Sequence, residues 1–376
     1  MKSFLQFLQR AFKYFRSTKR VWRKPPRADL LIIDRGTASP LDEMFAQHKP
    51  HIMEIRGESV NMRALLRALP KIHLGAVAYL EAYIDFVKPK LILSRTDNNH
   101  TLWQLKRRPN VAYKVALIQN GWRASDSQST REPAGLGEFA VDTYFSFGSS
   151  SRKSFGEKIM GTFESVGSIN LNSFQLMPRR PDSGVRLFLV SIFRRKIVAD
   201  DQGINEFGGL ERSLLKRGMD ISIICRSESY DEHLEEEHFY QVAMPNVKKD
   251  FLRKESRLAS YKWLRSNSVI LFDISTLGYE ALGLGPRVGC ISFQTAYRLN
   301  DRFGKPLEFG EKGPFWTNDP SEEEIGRILD YLLTVSDEQW ERDSGWIRDQ
   351  LMVHDYGNTK IRAYVEGVLT DSLESK

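Results

Sequence analysis

Cysteine is scarce in this chain, because the 376 residues include only Cys225 and Cys290. Two thiols cannot form a disulfide framework, and both fall in apolar runs typical of strands, so the composition indicates a reducing compartment. Long apolar runs are also missing. Even the run from Val77 to Phe86 is interrupted by Glu81 and Asp85, whereas a transmembrane helix needs roughly 18 to 20 apolar residues. We therefore expect a chain that does not span a membrane.

Several familiar motifs are absent. No Gly-x-Gly-x-x-Gly follows a strand and no Gly-Lys-Ser/Thr occurs, which argues against a dinucleotide oxidoreductase and a P-loop nucleotidase. The seven histidines are scattered and there is no Cys-x-x-Cys, so the sequence predicts no metal and no other cofactor. The acidic runs at 200–201 and 235–237 are interpreted as solvated surface.

Acidic residues are missing from the first 28 positions, where nine basic residues precede Asp29. The rest of the chain has 46 bases against 48 acids, so the net charge of +7 comes from this short segment. A nucleic-acid-binding body is therefore not expected. The nine bases are Lys2, Arg10, Lys13, Arg16, Lys19, Arg20, Arg23, Lys24 and Arg27.

Residues 2–22 have the pattern of an amphipathic helix, which Pro25 and Pro26 would end. Each Lys or Arg near an anionic leaflet contributes roughly 1 kcal/mol to membrane binding, so residues 1–27 are predicted to contact an anionic membrane surface. The alternative is a helix packed on the protein's own core with its basic face in solvent. The apolar side chains at helical spacing are Phe4, Leu5, Leu8, Phe12 and Phe15.

Short apolar runs alternate with helical patterns along the rest of the chain, which predicts an α/β fold with parallel sheets covered on both faces. The predicted helices are 59–69, 74–87, 101–106, 204–216, 254–265, 276–284, 323–333 and 358–369. The predicted strands are Leu30–Asp34, Lys90–Ser94, Tyr113–Gln119, Asp142–Phe147, Arg186–Phe193, Asp220–Cys225, Val269–Phe272 and Arg287–Ser292.

A polar, Pro-rich segment near residue 180 divides the chain into two halves. The predicted divisions are an arm at 1–28, a first Rossmann-like domain at 29–177, a linker at 178–184 and a second Rossmann-like domain at 185–376, whose last helix can pack back on the first domain. Two such halves enclose a cleft lined by the carboxyl ends of their strands, where parallel sheets bind ligands.

The segment 269–290 is the most specific in the chain. A strand ends at Asp273, and Ser275 and Thr276 occupy the position of a helix N-cap, so free N–H groups and the positive end of the helix dipole form a phosphate seat that includes Leu277. In this interpretation Gly278 allows a close approach of the ligand and Glu280 binds ribose hydroxyls. The alternative is a capped helix with a small residue for packing.

The string DISTLGYEAL at 273–282 resembles the donor-site signature of a family of bacterial surface-polysaccharide and O-antigen glycosyltransferases with the GT-B fold. The resemblance extends to Thr96, Asp97, Asn98 and Asn99 and to the segment 118–123. It implies two Rossmann-like domains facing across a cleft, with a nucleotide-sugar donor on the second domain and no essential metal. It also implies an acceptor on the first domain, near Thr96, Asn98, Asn99, Gln119, Asn120, Gly121 and Arg123.

Glycosyl transfer needs a base for the acceptor hydroxyl and positive charge at the departing phosphate. Asp97 is the first candidate for the base and His100 the second, although Asp97 could instead cap the helix near 101 and His100 could simply be solvated. Arg194 and Arg226 follow strands of the second half and could reach the phosphate, with support from Ser227. Part of this basic cluster could also face solvent, and the Asn120-Gly121 pair could simply form a tight turn.

These observations predict a cytoplasmic glycosyltransferase that lies peripherally on the inner face of the cytoplasmic membrane and acts on a surface glycan or a lipid-linked acceptor. The favoured donor is a CMP-activated nonulosonic acid such as Kdo, pseudaminic or legionaminic acid, followed by a UDP-sugar. Two alternatives are a sugar-nucleotide 2-epimerase of the same fold and a non-catalytic glycan-assembly protein.

Overall fold

The computed structural model describes most of the chain. The described residues are 18–106, 111–122, 139–155, 159–176, 185–193, 207–227, 229–256, 258–264, 268–273, 275–293 and 309–370. Among them, no helix combines the length and the apolar character needed to cross a bilayer.

Two sheets form the framework of the described residues, and a third, of two short strands, is formed by β1 (Lys19–Val21) and β4 (Ser59–Asn61). All neighbours in the first large sheet are parallel. Its spatial order is β3 (His51–Met53), β2 (Leu30–Ile33), β5 (Leu91–Ser94), β6 (Lys114–Ile118), β7 (Phe139–Ser146) and β8 (Ile159–Ser165).

The second large sheet is parallel except for its last pair. Its spatial order is β11 (Lys249–Leu252), β10 (Ile221–Ile224), β9 (Arg186–Val190), β12 (Ser268–Phe272), β13 (Arg287–Ile291), β15 (Trp316–Thr317) and β14 (Lys312–Gly313). In each large sheet the chain builds outward on one side of its first strand and then on the other. The strand order therefore reverses between β2 and β5 and between β9 and β12, which are the positions where such sheets bind ligands.

Helices cover both faces of the sheets, as the near-continuous apolar strands require. On β2, Leu31 and Ile33 pack towards a cluster that includes Leu80 of the helix Ala76–Val87, whereas Leu30 and Ile32 pack with Ile361 of the helix Thr359–Thr370. The helices are α1 (Leu41–Met44), α2 (Met62–Ala68), α3 (Ala76–Val87), α4 (His100–Trp103), α5 (Ser150–Phe155), α6 (Gly208–Lys216), α7 (Tyr230–Ala243), α8 (Thr276–Leu284), α9 (Glu322–Thr334), α10 (Asp337–Leu351) and α11 (Thr359–Thr370).

Two chain segments cross between the halves side by side. Gly167 forms an isolated antiparallel bridge with His354. Its Cα lies so close to the backbone of that segment that an added Cβ would lie 2.0 Å from Val353 O. The side chain of Asn172 donates to Asn358 Oδ1 at 2.9 Å and accepts from Asp355 N–H at 3.0 Å. These contacts fix the return of the chain that brings α11 onto the first sheet.

The predicted N-terminal helix is wrong at its end, and its first sixteen residues lie outside the described part of the chain. Lys19–Val21 forms β1, which pairs in parallel with β4. The pairing is extended by Asn61, whose side-chain amide donates to Arg23 O at 2.8 Å. The helix predicted from residue 59 is wrong at its start for the same reason, because Ser59–Asn61 is a strand and α2 begins only at Met62.

The region 230–265 departs most from the sequence prediction. The helix expected over 254–265 is wrong, because its described part contains only a short 3-10 helix, Ala259–Trp263. The long helix is instead α7, which Ser229 caps by accepting from Glu232 N–H at 3.3 Å. Glu236 of α7 is fully buried, so its interpretation as solvated surface is also wrong. The part of that interpretation that concerned 200–201 lies outside the described residues.

Candidate functional site

Helix α8 begins where the strand order of the second sheet reverses. Ser275 has an extended backbone at the N-cap position, and its side chain makes no capping hydrogen bond. Ser275, Thr276 and Leu277 are partly exposed, whereas the helix is buried from residue 278 onward. The amino end of α8 is therefore the part of the predicted phosphate seat that a ligand can reach.

Gly278 has a packing role in this helix. A Cβ at this position would lie 2.0 Å from Cγ of Phe272, the last residue of β12, and 2.1 Å from its Cδ2. Only glycine lets α8 approach the strand this closely. The expectation that Gly278 makes room for a ligand is therefore corrected, because its Cα faces the core.

The amino end of α8 contacts the first half of the molecule. The backbone N–H of Trp122 donates to Thr276 Oγ1 at 3.0 Å. The Trp122 ring stacks on Tyr279, with centroids 4.1 Å apart and planes 16° apart. Two segments singled out in the sequence, the turn after β6 and the start of α8, thus meet in space.

Glu280 lies one turn further along α8 and is only 6% exposed. Its carboxylate accepts a hydrogen bond from the hydroxyl of Ser168. Burial raises the pKa of Tyr261 well above its usual value, and the negative charge of the nearby Glu280 raises it further. In the described arrangement Glu280 joins the two halves, and ribose hydroxyls could reach it only by displacing its present partners, Ser168 among them.

The turn after β6 is built around Gln119. Its side-chain oxygen accepts from Phe147 N–H at 2.8 Å and from Ser151 Oγ at 2.9 Å, and its amide donates to Gly121 O at 3.1 Å. Gln119 is buried, so these bonds give it a structural role in shaping the turn. Asn120 is partly exposed and Gly121 is buried beside it. Arg123 and Arg194 lie outside the described residues.

The loop after β10 carries Arg226, which is exposed, and Ser227, which is buried. The carboxylate of Glu236 accepts from Arg226 N–H at 2.8 Å and from Ser227 N–H at 3.0 Å. Glu236 therefore holds the backbone of this loop and leaves the Arg226 side chain in solvent. Burial raises the pKa of the adjacent Cys225 thiol to about 12, and the charges of Glu236 and Glu237 contribute.

A polar cluster that the sequence did not single out lies where the strand order of the first sheet reverses. Asp34, directly after β2, accepts from Arg56 Nη2 at 2.6 Å and from Thr96 Oγ1 at 2.5 Å. Burial alone would raise the pKa of Asp34, but hydrogen bonds from Arg56 and Thr96 and the positive charge of Arg56 hold it below its usual value. The signal in the sequence was an acid that ends a buried strand.

Asp34 also has a left-handed backbone, with φ of 81°, which is uncommon for a residue other than glycine and typical of functional sites. Thr96 was predicted to line the acceptor cleft, and its hydroxyl is instead used within this cluster, where Thr37 Oγ1 lies 3.0 Å away.

The predicted base Asp97 is fully buried. Its carboxylate accepts from the hydroxyl of Tyr144 at 3.0 Å. An acceptor hydroxyl can reach the carboxylate only if the surrounding loop moves, so this geometry favours a structural role and the assignment as base stays a prediction. The alternative that Asp97 caps α4 is wrong, because Asn99 is the N-cap and accepts from Thr101 N–H at 3.0 Å.

The second candidate, His100, is partly exposed and lies against Phe139, with ring centroids 5.4 Å apart. Asn98 is exposed beside it. Of the two base candidates, His100 is thus the one that solvent reaches in the described arrangement. The two base candidates both follow β5 in the chain and differ in accessibility.

Comparison with solved structures gives the class of the fold. S. aureus MnaA, solved with UDP, shares 13% identity over 94% of this chain and 97% of that chain, with a TM-score of 0.52. UDP-GlcNAc 2-epimerase from Neisseria meningitidis, solved with UDP-GlcNAc, shares 14% over 91% and 99%, with a TM-score of 0.50. The wall teichoic acid polymerase TagF shares 11% over 93% and 91%, with a TM-score of 0.51. These similarities confirm the predicted GT-B architecture.

A family model described as "putative O-antigen biosynthesis protein" matches residues 116–368, which is more than half of the chain. The protein belongs to this O-antigen biosynthesis family, as its resemblance to surface-polysaccharide enzymes predicted. No curated protein matches the chain.

Proposed function

We propose that this protein is a glycosyltransferase that moves a sugar from a nucleotide-sugar donor to a surface glycan or a lipid-linked acceptor. The observation that carries the proposal is the meeting of two strand-end loops, where Trp122 N–H donates to Thr276 Oγ1 at 3.0 Å. A donor phosphate at the amino end of α8 would lie beside the first half, where an acceptor would bind. Membership of the O-antigen family supports this class of reaction.

The donor site in this proposal is the amino end of α8, where N–H groups and the helix dipole favour a phosphate. The exposed Arg226 supplies positive charge from the loop after β10, and Arg194 is its predicted companion. We propose a CMP-activated nonulosonic acid as donor, with a UDP-sugar as the next choice. The second choice is supported by the UDP and UDP-GlcNAc complexes of the structures with the same fold.

Residues 1–27 are proposed to hold the enzyme at the cytoplasmic face of an anionic membrane. The described part of this segment supports the idea, because Arg20, Arg23 and Lys24 are exposed and Trp22 is 59% exposed beside them. Exposed bases around a tryptophan match the composition of membrane interfaces. An acceptor carried by a lipid would then be delivered close to the cleft.

The test incubates the purified chain with CMP-, UDP- and GDP-sugars, with and without a lipid-linked oligosaccharide, and measures product mass and released nucleotide. We expect sugar transfer with one donor only when the acceptor is present. Release of an epimerised sugar without acceptor would identify a 2-epimerase instead. If no donor is consumed and none raises the melting temperature, the proposed function is wrong.

Variants connect the activity to the site. Thr276→Val should weaken binding of the nucleotide-sugar donor at least tenfold, because a hydrogen bond to a charged group contributes about 1.5–3 kcal/mol. Ser336→Ala is the matched control, since Ser336 caps α10 by accepting from Gln339 N–H at 3.1 Å and lies on another helix. It should lower stability and leave donor affinity unchanged.

The two base candidates are separated by stability and activity together. His100→Gln should abolish transfer without lowering the melting temperature if His100 is the base. Asp97→Asn should lower the melting temperature if the role of the carboxylate is to accept from the Tyr144 hydroxyl. It should abolish transfer at unchanged stability if Asp97 is the base.

A further inference from the structure

Three side chains with metal-binding groups come together at the end of β10. Cys225 follows the strand, and His233 and Glu236 lie three residues apart on one face of α7. All three are buried, and their ligand atoms lie within 4.8 Å of one another. We propose that this cluster, the Cys225 cluster, supplies three ligands to a divalent cation such as Zn²⁺, with the fourth tetrahedral position left for water.

The state of His233 is an independent indication. Its ring nitrogen Nδ1 is enclosed and has no hydrogen-bond partner among the described residues. The nearest carboxylate oxygen, Oε2 of Glu236, is 4.0 Å away, which is beyond hydrogen-bond distance. Buried polar atoms in folded proteins almost always have a partner. A cation between these two groups supplies that partner.

The donor set suits such a cation. Thiolate, imidazole and carboxylate are the ligands that Zn²⁺ prefers, with bonds of about 2.0–2.3 Å, so tetrahedral ligand atoms lie roughly 3.3–3.7 Å apart. The atoms of the cluster need to close by about 1 Å to reach that spacing. Cys225 Sγ is otherwise engaged in a long contact of 3.7 Å with Ile223 O.

Hydrogen bonds that would hold the ligating carboxylate are already in place. Glu236 accepts from Arg226 N–H and Ser227 N–H, and ligating carboxylates in proteins are themselves held by hydrogen bonds. The bound cation would join α7 to the end of β10 directly beneath this loop. Its role is to stabilise the loop, so the inference does not depend on the proposed function.

The test uses the full chain, treated with chelator and then titrated with Zn²⁺ against a competing dye and with Co²⁺ by absorption. Cys225→Ser and His233→Gln remove one ligand each. Cys290→Ser is the matched control, because Cys290 is a buried thiol of the same sheet that contacts Asp273 O at 3.4 Å. Circular dichroism of the chelator-treated variants checks that each is folded.

We expect one equivalent of Zn²⁺, a thiolate-to-cobalt charge-transfer band, and a raised melting temperature in the wild type and in Cys290→Ser. Cys225→Ser should lose the band, and both ligand variants should bind Zn²⁺ at least tenfold more weakly. If Cys225→Ser does not fold, His233→Gln decides by its affinity alone. Wild type without stoichiometric binding, or ligand variants that bind as tightly as wild type, would overturn the proposal.

Discussion

Gly278→Ala tests whether the signature glycine serves packing or a ligand. The added methyl carbon would lie 2.0 Å from Cγ of Phe272 and 2.6 Å from its Cδ1, whereas carbon atoms in contact are about 3.5–4.0 Å apart. The Phe272 ring is fully buried at the end of β12 and would have to move by more than about 1 Å. The substitution therefore overpacks the core.

The magnitude follows from two opposing effects. Overpacking of a close-packed core costs about 1–3 kcal/mol, and the better helix propensity of alanine offsets up to about 1 kcal/mol. The net loss in the free energy of unfolding of the second half therefore lies between about 0 and 3 kcal/mol, and we expect a value near the middle of this range, about 1–2 kcal/mol. A domain of this size loses about 2–4 °C per kcal/mol, so the melting temperature should fall by roughly 2–8 °C without ligand.

Differential scanning fluorimetry of the ligand-free protein measures this shift. Gly367→Ala is the matched control, because it is a helical glycine with no heavy atom within 4 Å of an added Cβ, and it should melt at or slightly above the wild-type temperature. In a Phe272→Leu background, the smaller side chain should reduce the cost of Gly278→Ala. A Gly278→Ala protein that melts like Gly367→Ala would refute the packing argument and restore the ligand interpretation.

Three further predictions follow from the described contacts. The pKa of Asp34 in the folded protein is lowered from 3.8, so its charge stabilises the fold. In urea unfolding, wild type should be more stable than Asp34→Asn above about pH 4, and this difference in the free energy of unfolding should vanish as the pH falls through the folded pKa. A difference that does not change with pH would contradict this. Trp122→Ala should lower the melting temperature more than Trp22→Ala, since Trp122 stacks on α8 and Trp22 is 59% exposed; equal shifts would count against the contact between halves. Deleting 1–17 should release the protein from anionic liposomes, and unchanged flotation would refute the membrane arm. Deleting 1–27 should also destabilise the protein, because it removes β1.

Eight strands of the large sheets could be predicted because each is a short apolar run that the sequence displays directly, whereas β3, β8 and β11 were missed. Every residue of β2, β5, β12 and β13 is buried, so local hydropathy and tertiary burial agree. Helix α7 was missed because charged residues dominate it, and its buried face includes His233 and Glu236. Their burial depends on β10 and on the loop after it, which a pattern within the helix cannot reveal. Short pairings such as β1 with β4 depend likewise on a distant partner.

Site prediction divided along the same line. The sequence located the segments that meet, because a strand end followed by polar residues predicts the edge of the sheet. It could not tell that Asp97 is enclosed, since Tyr144 lies 47 residues further along the chain. Asp34 was passed over because its partner Arg56 belongs to no recognisable motif. The sequence thus predicts which side chains lie at a strand end. Whether solvent reaches them depends on partners that only the fold brings near.

The signature helix therefore has two roles that share residues. Its amino end carries the partly exposed Ser275 and Thr276, while Gly278 and Glu280 are committed to the core and to Ser168. Thr276 Oγ1 accepts from Trp122 N–H and, since a hydroxyl is a donor and an acceptor at once, it can donate to a ligand phosphate while it keeps this contact between the halves. By linkage, any such ligand shifts the equilibrium between arrangements of the two halves by its difference in affinity for them. In the proposed enzyme, binding of the donor and positioning of the acceptor half are thus coupled through one hydroxyl.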